Sequence, residues 1–195
     1  MAVASILVAL VSCSTTPGDA ANRSDHSRQA AELYRQGAEQ GDAVAALKLG
    51  LLIEDDASLI TEFGEPGRWF VRSCEIGDDA GCHNAGVGYE YGNNELTKNY
   101  EQARDYYQKA ARRGYMQSQY NLGSLYSNLY FQDDVTGLTW LLAAQDNARA
   151  CVTKPLCKWI LDDAPGHVAK LKGRMTPEDI ATADRESMKV SKSRA

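Results

Sequence analysis

The chain has 195 residues, 44% of them hydrophobic, with a formal net charge of −5 and a pI near 5.2. This bounds it to one compact or elongated domain and little more. A nucleic-acid partner is excluded, because neutralising phosphates takes a clustered surplus of Lys and Arg that the body of the chain lacks. The basic Lys189, Lys192 and Arg194 near the end read as a solvated terminus.

The first element is Met1 to Ser12, "MAVASILVALVS". It is apolar but shorter than the roughly 17 residues a bilayer span takes, so residues 1–12 read as the hydrophobic part of a signal peptide. No Lys or Arg precedes the run, a departure from ordinary signal peptides, and an ordinary cleaved signal without a lipid or a buried hydrophobic strand is the alternative. Leu10-Val11-Ser12-Cys13 resembles the bacterial lipobox, which implies that Cys13 receives a lipid and becomes the mature N-terminus. Residues 13–27 continue as "CSTTPGDAANRSDHS", without periodicity and rich in turn formers, and read as a lipidated flexible tether. Ser14, in place of the Asp that marks inner-membrane retention in such lipoproteins, favours outer-membrane sorting.

A repeat follows. Gly41, Gly77 and Gly114 open corresponding turns at spacings of 36 and 37 residues, and Leu49-Gly50, Ala85-Gly86 and Leu122-Gly123 recur at the same two spacings. Upstream of each turn "LYRQGAEQG" (33–41), "WFVRSCEIG" (69–77) and "YYQKAARRG" (106–114) align residue by residue. The pattern describes two helices per unit. After the turn, Leu47, Leu49, Leu52 and Ile53 in one unit and Tyr120, Leu122, Leu125 and Tyr126 in another make an apolar stripe at helical spacing. Mid-helix Gly50, Gly86 and Gly123 would each cost about 1 kcal/mol on propensity alone, so their shared register points to close helix approach. Ala110 and Ala111 leave room that Tyr106, Tyr107, Trp69 and Phe70 fill as core.

A weaker fourth unit, "TGLTWLLAAQD" (136–146), repeats the bulky-then-small pattern through Trp140, Ala143 and Ala144. Beyond it the register is lost until "RMTPEDIATADRESM" (174–188), which opens a last helix with Thr176 as N-cap, Pro177 at the first position and Glu178 and Asp179 in the first turn. A terminal helix with a polar outer face closes an open array.

The stretches "YNLGSLY" (120–126), "EQARDYYQKAARRGYMQSQYNLG" (101–123) and "TWLLAA" (139–144) resemble Sel1-like repeats, relatives of the tetratricopeptide repeat with two antiparallel helices in about 36 residues. The resemblance covers residues 28–147. It implies an all-α fold, a right-handed α/α superhelix (solenoid) of Sel1-like hairpins, with residues 148–192 as a C-terminal helical cap and 193–195 as a tail. Unit one departs from the pattern in its hairpin loop, "EDDASLITEFGEPG" (54–67), which lacks the usual glycine-rich link.

In this register Cys74 lies near the end of one unit's second helix and Cys82 in the first turns of the next, at a separation that suits a disulfide. The same spacing resembles a cysteine-rich subgroup of the family in which such pairs staple adjacent helices. Free buried thiols are the alternative. A zinc site would need ligands beyond the adjacent His83, and a redox pair would be C-x-x-C. Cys151 and Cys157 are candidates for a second bridge across the Lys154-Pro155 turn, although the register leaves their geometry open. The five cysteines thus divide into one lipidated residue and two pairs.

The search for catalysis is negative. His26, His83 and His167 are scattered, no nucleophile elbow, phosphate loop or S-x-x-K occurs, and "GVGYEYG" (86–92) reads as helix core. The acid pairs Asp55-Asp56, Asp78-Asp79, Asp133-Asp134 and Asp162-Asp163 are expected at helix boundaries, as caps. No enzyme activity, cofactor or metal is therefore expected.

What the resemblance implies is a lipid-anchored protein of the bacterial envelope, facing the periplasm, that binds a protein or peptide through the concave face lined by each unit's first helix. Lys48, Asn84, Tyr89, Asn121 and Tyr126 are the candidate contact residues. Similar lipoproteins stand opposite phospholipase effectors, which sharpens the expectation to immunity against a secreted toxin. The alternatives are an envelope-assembly or signalling scaffold and a protein that binds or hydrolyses β-lactams or cell-wall fragments.

Overall fold

The turn chemistry sets the helix boundaries. Each short turn between units carries a glycine with positive φ, as at Gly77 (φ 124°), where a side chain would be strained. One residue after Gly41 and Gly77 an acid caps the next helix: Asp42 Oδ1 accepts from the backbone N–H groups of Val44 and Ala45 at 2.9 and 3.0 Å, and Asp78 Oδ1 accepts from that of Gly81 at 2.7 Å. The computed structural model describes residues 17–127 and 130–192. It contains ten α-helices and no strand among them. These are α1 (Pro17–Glu39), α2 (Ala43–Asp55), the short α3 (Ile60–Phe63), α4 (Pro66–Ile76), α5 (Asp79–Tyr91), α6 (Tyr100–Arg112), α7 (Met116–Ser127), α8 (Asp134–Arg149), α9 (Pro155–Lys172) and α10 (Pro177–Lys192).

The long helices pack in chain order, α1 on α2, α2 on α4, and so on to α8 on α9. That is the nearest-neighbour architecture of an α/α superhelix. Only α10 departs from succession: it lies on α8, two places earlier in the chain. The first helices of successive units also touch, α2 against α5 and α7 against α9, which places them in the inner layer. The repeated glycines allow the close packing. A Cβ on Gly86 would stand 2.6 Å from the Tyr107 ring, and one on Gly123 would stand 2.9 Å from the Gly137 carbonyl oxygen. The core follows as a string of clusters: Leu49, Ile53 and Phe63; Tyr107, Leu122 and Trp140; and Leu138, Leu141 and Ile160.

Both cysteine pairs are bridged, Cys74 to Cys82 with Cα atoms 4.4 Å apart and Cys151 to Cys157 at 5.8 Å. The first joins α4 to α5 across the Gly77 turn, and the second joins the turn after α8 to the first helical residues of α9. The last helix starts as its capping sequence predicts. Thr176 Oγ1 accepts from the Asp179 backbone N–H at 3.2 Å and donates to Asp179 Oδ2 at 2.7 Å.

Three local expectations change. Residues 17–27, expected within the tether, are the first half of α1. A helix anchored by buried Ala31 and Ala38 extends backwards at one hydrogen bond per residue, and the sequence of its N-terminal part carries no apolar period to betray it. The unusual loop of unit one holds a 3₁₀ turn (Ala57–Leu59) and α3, which plug Leu59 and Phe63 into the core; Phe63 O accepts from Trp69 Nε1 at 2.8 Å. Asp162 and Asp163 do not bound a helix as the other acid pairs do. They lie inside α9, which runs on through Pro165 although Ala164-Pro165-Gly166 resembles a stop signal. The signal segment 1–12, Cys13 and the tail 193–195 lie outside the described residues.

Candidate functional site

On α2 the buried side is Ala45, Ala46, Leu49 and Ile53. Val44, Lys48, Leu51 and Asp55 follow a helical i, i+4, i+7, i+11 spacing on the other side. The same register on α5 is Ala80, Asn84, Val87 and Tyr91, and on α7 it begins Gln117, Asn121 and Ser124. α9 joins the row through its cysteine. Trp159 follows Cys157 by two residues, as Asn84 follows Cys82, so Lys48, Asn84, Asn121 and Trp159 occupy equivalent places on four inner helices. This layer also holds much of the exposed apolar surface: Val44 is 48% exposed, Leu51 40%, Tyr91 62% and Trp159 48%.

The five sequence-derived candidates divide between this surface and the packing beneath it. Lys48 is exposed and reaches back over the Tyr34 ring of α1, 5.6 Å from its centroid. Asn84 is half-buried in the middle of the row. Asn121 Nδ2 donates to Tyr107 Oη at 3.2 Å, and Tyr107 in turn donates to Glu90 Oε2 at 2.6 Å, so Asn121 closes a polar chain linking α7, α6 and α5. Tyr89 stacks flat on Tyr106 of its own unit at 5.4 Å, and Tyr126 packs on Phe131 at 5.4 Å. Those two rings serve the seam between layers.

Three titratable groups sit beneath the row. His83 is enclosed by Tyr107, Tyr115 and Ser118, with Nδ1 3.1 Å from Ser118 Oγ, and burial lowers its pKa to about 4. Burial raises the Glu90 carboxyl above the usual carboxylate range, opposed by the hydrogen bond from Tyr107 and by Lys98. Burial, then the Glu90 charge, pushes the Tyr107 hydroxyl up, so the proton stays on the phenol.

Sequence reasoning missed Trp159, Tyr91 and Asp163. The readable signal for Trp159 was the cysteine offset, while Asp163 and Tyr91 carried none. Asp163 accepts from the Tyr120 hydroxyl of α7 and lies 3.4 Å from His167 Nε2. Among the described residues no group of three His, Cys, Asp or Glu side chains is arranged to hold a metal, and no helix is long and apolar enough to cross a membrane.

The family profile of the Sel1 repeat matches residues 23–42, 79–115 and 117–145. The crystal structure of c5321, a protective antigen present in uropathogenic Escherichia coli strains displaying an SLR fold, superposes with a TM-score of 0.63 and 24% identity, covering 86% of this chain and 33% of that one. A Sel1 repeat protein from Oxalobacter formigenes superposes with a TM-score of 0.53 and 22% identity, covering 83% of this chain and 64% of that one. The chain therefore spans a third of the first protein and just under two thirds of the second, and at these identities both speak for the fold alone. No curated protein matches. Sel1 repeats are generally protein–protein interaction modules and typically non-enzymatic scaffolds. Two-helix units that pack through glycines at one shared register, three stretches of them matched by that profile, show that the chain contains Sel1 repeats.

Proposed function

We propose that this chain is a lipid-anchored, periplasm-facing module that grips a protein or peptide partner along the inner layer of its superhelix. The observation that carries the reading is the aligned row of Lys48, Asn84, Asn121 and Trp159, flanked by exposed Val44, Leu51 and Tyr91. Polar groups at a fixed repeat can read an extended partner at regular intervals, while the apolar neighbours supply burial, as in other stacked-repeat surfaces. Anchoring through Cys13, with sorting to the outer membrane, comes from the lipobox resemblance of residues 10–13. The sharper form, immunity against a secreted toxin, rests on the likeness to lipoproteins that oppose such effectors.

A photo-crosslinking residue at Asn84 in intact cells tests the surface, with Asp105 on the outer α6 as the control. A discrete polypeptide captured from Asn84 and not from Asp105 is the expected result, and equal capture from both would remove the inner layer as the site. In the same cells Cys13→Ala moves the protein out of the membrane fraction; retention of that variant in membranes would end the anchor assignment. A toxin encoded beside this gene and captured by the chain supports immunity.

A further inference from the structure

The inner layer ends on a cluster that general polypeptide binding does not explain. Trp159, Asp163 and His167 follow at i, i+4 and i+8 on α9, and Tyr120 of α7 touches all three. Its ring lies 4.8 Å from Trp159 at a 63° inclination and 6.0 Å from His167 at 80°, and its hydroxyl donates to Asp163 Oδ2. His167 Nε2 approaches that same oxygen at 3.4 Å. Asp163 Oδ1 and the Trp159 indole N–H are left without partners among the described residues.

Joining α7 to α9 requires only the Tyr120–Asp163 bond and does not account for an indole left 48% exposed. The other two tryptophans of the chain, Trp69 and Trp140, are 8% and 6% exposed. What would cover this one is constrained by its neighbour. An anion would meet the Asp163 carboxylate, and an apolar group would bury Oδ1 unpaired. A cation satisfies both surfaces at once, because an indole face attracts positive charge and residues four apart on a helix lie within reach of a single ligand group. The net charge of −5 favours the approach of a basic segment.

We propose that this cluster seats one basic side chain, a lysine ammonium or an arginine guanidinium, of the polypeptide held along the inner layer. The cation rests on the Trp159 ring and pairs with Asp163 Oδ1, while Tyr120 and His167 hold the carboxylate in place through Oδ2. The assignment rests on the inner-layer reading above and adds to it the chemistry of one partner residue.

The test titrates the full chain with N-acetyl-lysine amide, N-acetyl-arginine amide and N-acetyl-leucine amide, and separately with phosphatidylcholine vesicles, following Trp159 indole and amide resonances. The lysine and arginine amides are expected to bind with Kd on the order of millimolar, as suits a single side chain, and the leucine amide to leave the resonances unmoved. Asp163→Asn keeps the side-chain shape and is expected to weaken binding about tenfold, as is Trp159→Ala read at neighbouring amides. An equal response to the leucine amide, insensitivity to Asp163→Asn, or a response to the vesicles alone would overturn the assignment, the last by giving the site to a lipid headgroup. Partner capture at Asn84 that is equal in wild type and Trp159→Ala, with the lysine amide silent, would leave the inner-layer reading standing and remove this one. Loss of Asn84 capture with the lysine response intact places the failure in the inner-layer reading instead.

Discussion

At the scale of single residues, a few side chains are set by what surrounds them. His83 is neutral in the fold because charging it means desolvating a cation between Tyr107 and Tyr115. The unfolded chain takes up that proton near pH 6.5, whereas the folded chain does so near 4. Between those values the unfolded state binds more protons, so stability falls as pH drops through the window. Glu90 acts with the opposite sign, since its raised pKa makes the folded chain the earlier proton acceptor, and it offsets part of the loss. We expect the wild type to lose about 2 kcal/mol between pH 7 and pH 4.5 through His83, and His83→Gln to show a correspondingly flatter pH profile in urea unfolding. Parallel profiles would show that burial does not hold His83 neutral. The close-approach glycines belong to this scale as well. Gly123→Ala sets a Cβ against the Gly137 carbonyl and Leu141, and it should cost about 1–3 kcal/mol by the same measurement, more than any gain in helix propensity returns.

At the scale of elements, caps, turns and staples are legible in the amino-acid sequence. Asp42, Asp78, Asp133 and Thr176 each satisfy an N-terminal backbone N–H through a bond local in sequence, which is why a residue pattern reveals them. The Cys74–Cys82 staple closes a loop of similar locality. Replacing both cysteines with alanine should lower stability by about 2–3 kcal/mol on the chain-entropy account, read as a lower urea midpoint; an unchanged midpoint would mean that helix packing alone holds α4 against α5. The elements that escaped the sequence are those whose signal is not local. The N-terminal part of α1 shows no apolar period in its sequence, and the 3₁₀ turn and α3 bury Leu59 and Phe63 in a loop whose sequence departs from the repeat. Asp162 and Asp163 were expected at a boundary because acid pairs cap helices elsewhere in the chain, but packing on α8 through Ile160, Ala164 and Leu171 keeps α9 going past Pro165.

At the scale of the whole molecule, stability is shared between neighbouring helices, so what covers the last one matters. α10 folds back on α8 and buries Ala183 there, and Arg174 at its approach donates to Asp134 and to the Ser127 carbonyl oxygen. Removing residues 174–195 uncovers that side of α8. The truncated chain is expected to melt at least about 5 °C lower, by loss of a few kcal/mol of packing in a chain of this size. An unchanged melting temperature would reduce α10 to an appendage.

The amino-acid sequence by itself determined the repeat, its turns and most of its caps, because each depends on residues close in the chain or on a period that helical packing copies unit after unit; it pointed to the Cys74–Cys82 staple, while the Cys151–Cys157 bridge was decided by the tertiary structure. The tertiary structure alone decided which of the candidate contacts face outward. Lys48 and Asn84 stay on the inner layer, Tyr89 and Tyr126 pack into the seam, and Asn121 turns to Tyr107. It also decided that Trp159, Asp163 and His167 meet Tyr120, which stands 39 residues before Trp159. Contacts of that kind arise where two helices cross, and their partners are chosen by the distance and angle of the crossing, which no short stretch of sequence encodes.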